Sequence, residues 1–185
     1  KNGGCVFGLF FYVITSIGIG GILALVLAER MKGKALAFFS GLGAVFLVWT
    51  SLGALFSGSV YSCLVLFPYP LGQVRFAIDG LSAFFILVIA SMTFLGVLYS
   101  TGYMKACFSQ GHKNISSHFF FLSVLIISML LLTVARNAVV FLTAWEIMSL
   151  SSFFLVVFEH EKKEVLEAGI TYLVAMHAGV LILIA

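Results

Sequence analysis

The chain contains very little charge. Asp, Glu, Lys and Arg together make up 9% of its 185 residues, whereas hydrophobic residues make up 62% and the mean hydropathy is +1.19. A water-soluble domain keeps roughly a quarter of its residues charged, because its surface must be hydrated. This shortage of charge therefore excludes a water-soluble domain.

Cysteine and proline are also scarce. The three cysteines, Cys5, Cys63 and Cys107, lie far apart and show no CxxC spacing, so we expect neither a disulfide framework nor a metal site. The two prolines, Pro68 and Pro70, stand close together in one link between apolar runs. The net charge of +3 reflects the loops and does not indicate binding to nucleic acid.

Long apolar runs are what the chain does contain. A helix of about 20 apolar residues crosses the roughly 30 Å of bilayer hydrocarbon. The runs lack the in-out alternation of barrel strands, so they favour helices. We therefore predict an all-α integral membrane protein, embedded in a lipid bilayer, with about six transmembrane helices. The predicted spans are 6–28, 35–58, 80–104, 118–135, 138–158 and 168–185.

These runs divide the chain into three parts. Two leading helices occupy 1–58, an extracytoplasmic hairpin or loop occupies 59–79, and four further helices occupy 80–185. The link at 59–79 has two β-prone runs on either side of a Pro- and Gly-containing turn, which predicts a surface hairpin. Because the chain starts at Lys1 and ends inside an apolar run at Ala185, we expect it to be a fragment or trimmed.

The distribution of Lys and Arg predicts the orientation. Cytoplasmic loops carry an excess of basic residues. The odd-numbered loops hold seven basic residues, Arg30, Lys32, Lys34, Lys105, Lys113, Lys162 and Lys163, whereas the other side holds three, Lys1, Arg75 and Arg136. The odd-numbered loops should therefore be cytoplasmic and the N-terminus outside.

Glu146 stands out because it lies deep inside an apolar run. It is eight residues into the fifth span, or roughly 12 Å from the outer end of the helix. An acidic residue at this depth costs on the order of 3 kcal/mol, so it should face a partner or water. Thr143 and Ser149 lie one turn on either side, and we expect the three to form a polar sector. Glu146 is a candidate proton carrier; alternatively, it is a neutral acid that joins helices.

Two further residues inside the spans are also of interest. His177 lies in the middle of the sixth span, where an imidazole can relay protons or simply hydrogen-bond a neighbouring helix. Trp145 should pack beside Glu146 and help to fix its rotamer. Haem ligation would need a second histidine at similar depth, whereas His118 lies at a span end and His112 and His160 in loops. We therefore predict no cofactor.

Asp79 and Arg136 lie at span ends. Asp79 opens the third span as D-G-L-S, and aspartate is a favoured helix N-cap. Arg136 lies in the short turn between the fourth and fifth spans, where it can reach lipid headgroups or a neighbouring chain by snorkelling.

Two stretches carry a resemblance to a known family. FAIDGLSAFFILVIASMTFLGVLYSTGYM (76–104) resembles an early-helix signature of the proton-conducting, antiporter-like membrane subunits, and FLSVLIISMLLLTVARNAVVFLTAWEIMSLSSFFLVVF (121–158) is similar to the helix pair that follows. That superfamily includes the large membrane-arm subunits of complex I, Mrp-type sodium/proton antiporter subunits and the membrane subunits of hydrogenase-4 and formate hydrogenlyase. The resemblance covers about residues 60 to 185.

The resemblance carries several implications. Glu146 would be the family's buried proton-pathway glutamate, which works with a lysine on a later helix, and Asp79 falls on the DGLS motif. His177, in YLVAMHAG, is most similar to the hydrogenase-type branch, while Val180 stands where part of the complex I branch has an acidic residue. Family members are much longer and contain two inverted repeats, so 80–185 would include the start of the first repeat.

The implied function is translocation of protons, or alternatively of sodium ions, as one membrane subunit of a hydrogenase or complex I-like assembly in a bacterial or archaeal plasma membrane. No catalytic centre is evident, so electron transfer would occur in partner subunits. The alternatives are an Mrp-type sodium/proton antiporter subunit and a structural membrane subunit that conducts no ions.

Overall fold

The computed structural model describes residues 3–26, 29–66, 72–109, 115–159 and 163–184. These residues form six α-helices and one two-stranded antiparallel sheet, and the prediction of an all-α membrane protein is confirmed. In chain order the elements are α1 (Gly3–Val26), α2 (Glu29–Ser57), β1 (Tyr61–Leu66), β2 (Gln73–Ile78), α3 (Gly80–Ser109), α4 (Ile115–Val134), α5 (Ala138–Val156), a 3-10 turn (Val157–Glu159) and α6 (Lys163–Ile184).

Each helix contains a stretch long and apolar enough to cross a membrane. Five stretches lie within two residues of the predicted spans at each end, and the sixth begins five residues earlier, at Lys163. The stretches are Val6–Val26, Leu36–Ser57, Gly80–Tyr103, Ser116–Val134, Ala138–Val156 and Lys163–Ile182.

Four helices extend into segments predicted as loops. α2 begins at Glu29, α3 continues to Ser109, α4 begins at Ile115 and α6 begins at Lys163. The first turns of α6 are rich in good helix formers, and Lys163 Nζ lies 3.7 Å from Glu167 Oε1 one turn later. The prediction that 159–167 is a loop is therefore wrong from Lys163 onwards, because these polar residues continue the helix outside the hydrocarbon.

The first four helices form the main packed body. Its fully buried side chains come from all four of them, including Phe7, Ile17, Leu36, Ile86 and Leu130. α5 packs mainly against α4, and α6 packs against α5. α6 is the least covered helix, with 11% of its apolar stretch buried against 39% in α1. The α5–α6 pair therefore lies at the edge of the bundle.

α1 and α4 approach each other closely at Gly21. A Cβ atom added at Gly21 would overlap Ser123 Oγ and lie 2.7 Å from Ser123 Cβ. Ser123 is buried, and its hydroxyl donates to Phe120 O at 2.7 Å. Small residues allow helix backbones this close approach in lipid, so Gly21 sets the separation between α1 and α4.

The hairpin is attached to the helical body. β1 and β2 pair from Tyr61 opposite Ile78 to Leu66 opposite Gln73, while the turn at 67–71, with Pro68 and Pro70, lies outside the described residues. Phe76 bridges to Ala135, and the Arg136 N–H donates to Arg75 O at 3.1 Å. β2 is thereby joined to the α4–α5 turn. The three-part division of the chain and the outer location of the hairpin stay predictions.

Most of the basic residues that set the predicted orientation are not described. The side chains of Arg30, Lys32, Lys105, Lys113 and Lys162 lie outside the described part of the chain, as does Lys1. Cys63 is a free thiol in β1, whereas the side chains of Cys5 and Cys107 are not described. The orientation therefore stays a prediction.

Replacing Gly21 by alanine should destabilise the bundle. The added methyl group collides with Ser123, and overpacking of this kind costs roughly 1–3 kcal/mol. The matched control is Gly8→Ala in the same helix, where an added Cβ meets nothing within 4 Å. We expect thermal unfolding in mild detergent to occur at a lower temperature for Gly21→Ala than for Gly8→Ala. Equal unfolding temperatures would contradict the close contact.

Candidate functional site

Glu146 of α5 and His177 of α6 meet between their helices. His177 Nε2 lies 3.1 Å from Glu146 Oε2, and both residues fall inside membrane-spanning stretches. Asn137 begins α5 by accepting the backbone N–H groups of Val139 and Val140, which fixes how far inside the helix Glu146 lies. The structure thus brings together two residues that the sequence singled out separately.

The second ring nitrogen of His177 is also bound. Its Nδ1 lies 2.9 Å from Leu173 O, one turn earlier in α6. A carbonyl oxygen only accepts hydrogen bonds, so this contact requires the hydrogen on Nδ1. The role of Leu173 was not predicted from the sequence, because any residue at this position supplies the same backbone carbonyl. The one indication in the sequence is that Leu173 precedes His177 by four residues on a helix.

The fixed Nδ1 hydrogen determines how the pair shares protons. A hydrogen bond between Nε2 and Oε2 then needs one further proton, held either on the imidazole beside a carboxylate or on the carboxyl group beside a neutral imidazole. Both arrangements have zero net charge. A neutral or internally compensated pair costs far less in hydrocarbon than a lone carboxylate. The site can therefore hold a transferable proton without leaving an unpaired charge.

Gly169 allows α6 to approach the end of α5. It is buried, and a Cβ atom added to it would overlap the Val157 side chain and lie 3.4 Å from the Phe153 ring. Gly169 lies two helical turns before His177, so this contact orients the face of α6 that carries the imidazole. The arrangement of Glu146 and His177 is therefore supported by Gly169, a residue that has no functional side chain.

Thr143 and Ser149 differ in burial, and their grouping with Glu146 in one polar sector stays a prediction. Ser149 is fully buried and its hydroxyl donates to Trp145 O at 3.0 Å, whereas Thr143 is exposed and donates to Val139 O at 2.8 Å. Positions three apart on a helix differ by about 60° in direction, so these two diverge by about 120°. Each hydroxyl hydrogen is used within α5, and the oxygens keep lone pairs that can accept.

Trp145 packs against an aromatic neighbour within α5. Its ring lies 5.9 Å from the Phe141 ring, and its buried indole Nε1 finds no hydrogen-bond partner among the described residues. A buried N–H group without a partner is costly. The indole N–H therefore remains available to donate a hydrogen bond near the centre of α5. The packing of Trp145 against Glu146 stays a prediction.

Asp79 and Arg136 form a second polar cluster outside the spans. Asp79 Oδ1 accepts the Ser82 N–H at 2.8 Å, so the predicted N-cap role is confirmed. Asp79 Oδ2 accepts from Arg136 Nη2 at 2.7 Å, and the same Nη2 lies 3.0 Å from Ser82 Oγ. The Ser82 hydroxyl donates in turn to Thr133 O at 2.8 Å. The cluster joins the start of α3 to the end of α4.

The ion pair corrects the expectation for Arg136. Snorkelling towards headgroups was predicted, but the guanidinium turns to Asp79, because the start of α3 and the end of α4 lie at the same end of the bundle. Their places at the ends of consecutive antiparallel spans were the signal in the sequence. The Ser82 backbone N–H, followed by the Ser82 hydroxyl and Arg136, holds the pKa of Asp79 below its usual value.

His118, the other histidine that the structure describes, forms a different contact. His118 Nε2 lies 2.9 Å from Ser100 Oγ, which joins α4 to α3, and its ring packs against Phe119 and Phe158. His112 and His160 lie outside the described residues. Within the described ranges, no group of three or more His, Cys, Asp or Glu side chains could hold a metal ion.

Fold and site together define a multi-pass membrane protein with an acid–base pair inside its apolar spans. Residues 72–112 match the family described as NADH-ubiquinone oxidoreductase (complex I), chain 5 N-terminus. This match includes Asp79 and Ser82 and ends before the Glu146–His177 pair.

One curated relative extends the match over almost the whole chain, and two others cover about half of it. The chain is 33% identical to hydrogenase-4 component B of Escherichia coli over 178 residues, which is 96% of this chain and 25% of that protein. It is 34% identical over 90 residues to a putative antiporter subunit of Staphylococcus saprophyticus, covering 49% of this chain and 11% of that protein. It is also 34% identical over 86 residues to Na(+)/H(+) antiporter subunit A1 of Staphylococcus haemolyticus, covering 46% and 10%.

These findings agree with the resemblance seen in the motifs. The chain belongs to the antiporter-like membrane subunit family of complex I, Mrp-type antiporters and hydrogenase-4. It spans about a quarter of the length of the hydrogenase relative and a smaller share of the two antiporter subunits.

Two variants of Asp79 should separate its roles. Asp79→Asn keeps a good N-cap but loses the ion pair, for which we expect a cost of at most about 1 kcal/mol at neutral pH. Asp79→Ala loses the cap as well, and should cost about 1 kcal/mol more. Thermal unfolding in mild detergent would measure both effects.

The pH dependence provides a further check on Asp79. A carboxyl group with a lowered folded pKa stabilises the fold above its usual pKa, and this contribution is lost as the pH falls through the folded value. The stability advantage of the wild type over Asp79→Asn should therefore persist at neutral pH and disappear in strong acid. A difference independent of pH would contradict the ion pair.

Proposed function

We propose that this chain is part of a proton-translocating, antiporter-like membrane subunit, in which the Glu146–His177 pair carries the proton. The observation that supports this proposal is the 3.1 Å contact between Glu146 Oε2 and His177 Nε2, inside two membrane-spanning stretches. Ionisable groups inside spans are rare and commonly mark ion pathways. A pair that exchanges a proton internally without changing its net charge suits that task.

The pair also responds to nearby charge. A cation that approaches Glu146 favours the carboxylate and drives the shared proton towards His177, whereas its withdrawal lets the proton return to Glu146. By resemblance, the cation is a lysine on a later helix. Side-chain exposures of 34% for Glu146 and 44% for His177 leave room on this face for such a partner. Movement of that charge would couple distant events to proton transfer.

The other predicted site residues support the pair. Thr143 and Ser149 keep acceptor oxygens beside α5, through which water can be held near the carboxyl group. Asp79 and Arg136 fix the outer end of α3 against α4, and Trp145 offers a buried donor on the helix that carries Glu146. These three residues are structural parts of the proposed pathway and not proton carriers.

The relatives favour a place in a larger assembly. One is named as a component of hydrogenase-4 and two as antiporter subunits. We propose that the chain acts beside other membrane subunits of a hydrogenase or complex I-like complex in the plasma membrane, with its odd-numbered loops in the cytoplasm. Redox chemistry would take place in those partners and drive proton movement through this subunit.

A sodium/proton antiporter subunit is the second candidate. It is favoured by the two staphylococcal relatives, one of which is named as a Na(+)/H(+) antiporter subunit. This function predicts sodium-dependent proton flux with no redox substrate. Assays of hydrogen-linked and NADH-linked electron transfer on the native complex, alongside flux driven by a sodium gradient, separate the two candidates.

Replacing Glu146 by glutamine should abolish proton translocation. The amide retains the size of the side chain and its hydrogen bonding but cannot take up and release the shared proton. We expect proton uptake by inverted membrane vesicles to fall at least about tenfold, since positioned acid–base groups commonly contribute that much or more. The variant is made in the native assembly, and uptake is normalised to the amount of assembled complex.

Glu164→Gln is the matched control, because Glu164 is an exposed acid in the first turn of α6. We expect its proton uptake to equal that of the wild type. Normal uptake by an assembled Glu146→Gln complex would exclude the proposed role and favour a structural subunit that conducts no ions.

A further inference from the structure

A second polar contact joins α5 and α6. Ser152 Oγ lies 2.6 Å from Tyr172 Oη, within the range of a strong O–H···O bond. Ser152 follows Glu146 by six residues and Tyr172 precedes His177 by five, so on antiparallel helices both are displaced in the same direction, by about 8–9 Å. The hydroxyl pair therefore lies between the Glu146–His177 pair and the end of α5, on the side predicted to be cytoplasmic.

Tyr172 and His177 both contact α5, from opposite edges of the covered side of α6, because positions five apart differ by about 140° in direction. The α6 positions that are at least half covered recur every three or four residues and form the stripe that faces α5: Val165, Gly169, Tyr172, Leu173, Met176, His177 and Val180. The closely packed Gly169 holds the start of this stripe against α5. The hydroxyl pair and the acid–base pair therefore lie in one interface, with no helix between them.

Ser152 has two possible acceptors for a single hydrogen. Its hydroxyl lies 2.9 Å from Ser149 O as well as 2.6 Å from Tyr172 Oη. When Ser152 donates to Ser149 O, Tyr172 must donate to Ser152; when Ser152 donates to Tyr172, the tyrosine hydrogen points elsewhere. A pair with two such arrangements can pass a hydrogen in one direction and then reset by rotation of the hydroxyl groups.

We propose that the Ser152–Tyr172 hydroxyl pair is the step through which protons from the cytoplasmic side reach the Glu146–His177 pair. This inference rests on the proposed function of Glu146 and His177. It gives Ser152 and Tyr172 a role in proton supply, beyond that of a hydrogen bond that joins two helices.

The transfer balances without any further reactant. A hydronium ion gives a proton to a lone pair of Tyr172 Oη while the original tyrosine hydrogen passes to Ser152 Oγ. The original serine hydrogen passes to water, which delivers it to whichever of Glu146 or His177 Nε2 is vacant. Each O–H bond that breaks is replaced by a new one, and both hydroxyl groups are restored. Waters with hydrogen bonds of about 2.8 Å would span the remaining gap, which is about 8–9 Å along the helix axes.

Tyr172→Phe tests this role in the native assembly. It removes one hydroxyl group and leaves Glu146 and His177 in place. We expect proton uptake per assembled complex to fall at least about fivefold, and the carboxyl infrared band that is lost in Glu146→Gln to remain. The matched control is Tyr12→Phe, which removes a hydroxyl group from an exposed position on α1 and should leave uptake unchanged.

The outcomes separate this inference from the proposed function. Normal uptake in Glu146→Gln overturns both, whereas lost uptake in Glu146→Gln with normal uptake in Tyr172→Phe overturns only the hydroxyl step. A structural role for the pair would lower the amount of assembled complex without slowing each complex. If Tyr172→Phe does not assemble, Ser152→Ala is compared with Ser152→Thr, which keeps a hydroxyl group. Slow uptake in the alanine variant alone supports the proposal, and equal rates overturn it.

Discussion

Bilayer hydrocarbon offers no water to solvate a polar group, and this constraint determines how the chain uses its few polar side chains. Backbone groups are satisfied inside helices. Many serine and threonine hydroxyls donate to a carbonyl three or four residues earlier in their own helix, as Ser123 and Thr133 do. Among the described residues, the polar contacts between helices include those of Asp79 with Arg136, Ser82 with Thr133 O, Ser100 with His118, Glu146 with His177 and Ser152 with Tyr172.

Much of the architecture followed from one-dimensional patterns. The apolar runs located the spans because a helix must match the thickness of the hydrocarbon, and the D-G-L-S sequence identified the Asp79 cap because capping is local. The early start of α6 was missed because hydropathy reports the hydrocarbon boundary, whereas the helix continues through polar residues such as Lys163 and Glu167. Span prediction and helix prediction therefore differ most at the ends of helices.

The sequence predicted which residues form the candidate site but not how they pair. Glu146 and His177 were both conspicuous as ionisable residues at depth, but their pairing depends on how α6 rotates against α5, which small residues such as Gly169 decide. The Asp79–Arg136 contact likewise depends on consecutive antiparallel spans ending at one level. The tautomer fixed by Leu173 O could not be predicted at all, since a backbone carbonyl leaves no trace in the sequence.

The Asp79–Arg136 and Glu146–His177 pairs differ in whether a nearby charge can move a proton within them. Asp79 lies outside the spans and is held as a carboxylate by the Ser82 N–H and Arg136, which cannot release a proton at any physiological pH. Glu146 faces an imidazole, which can accept or return the shared proton. Arginine therefore makes a fixed contact at the ends of the spans, whereas histidine makes a contact within them that can exchange a proton. In the proposed mechanism, the same carboxyl chemistry serves attachment in one place and proton transfer in the other, and the basicity of the partner decides which.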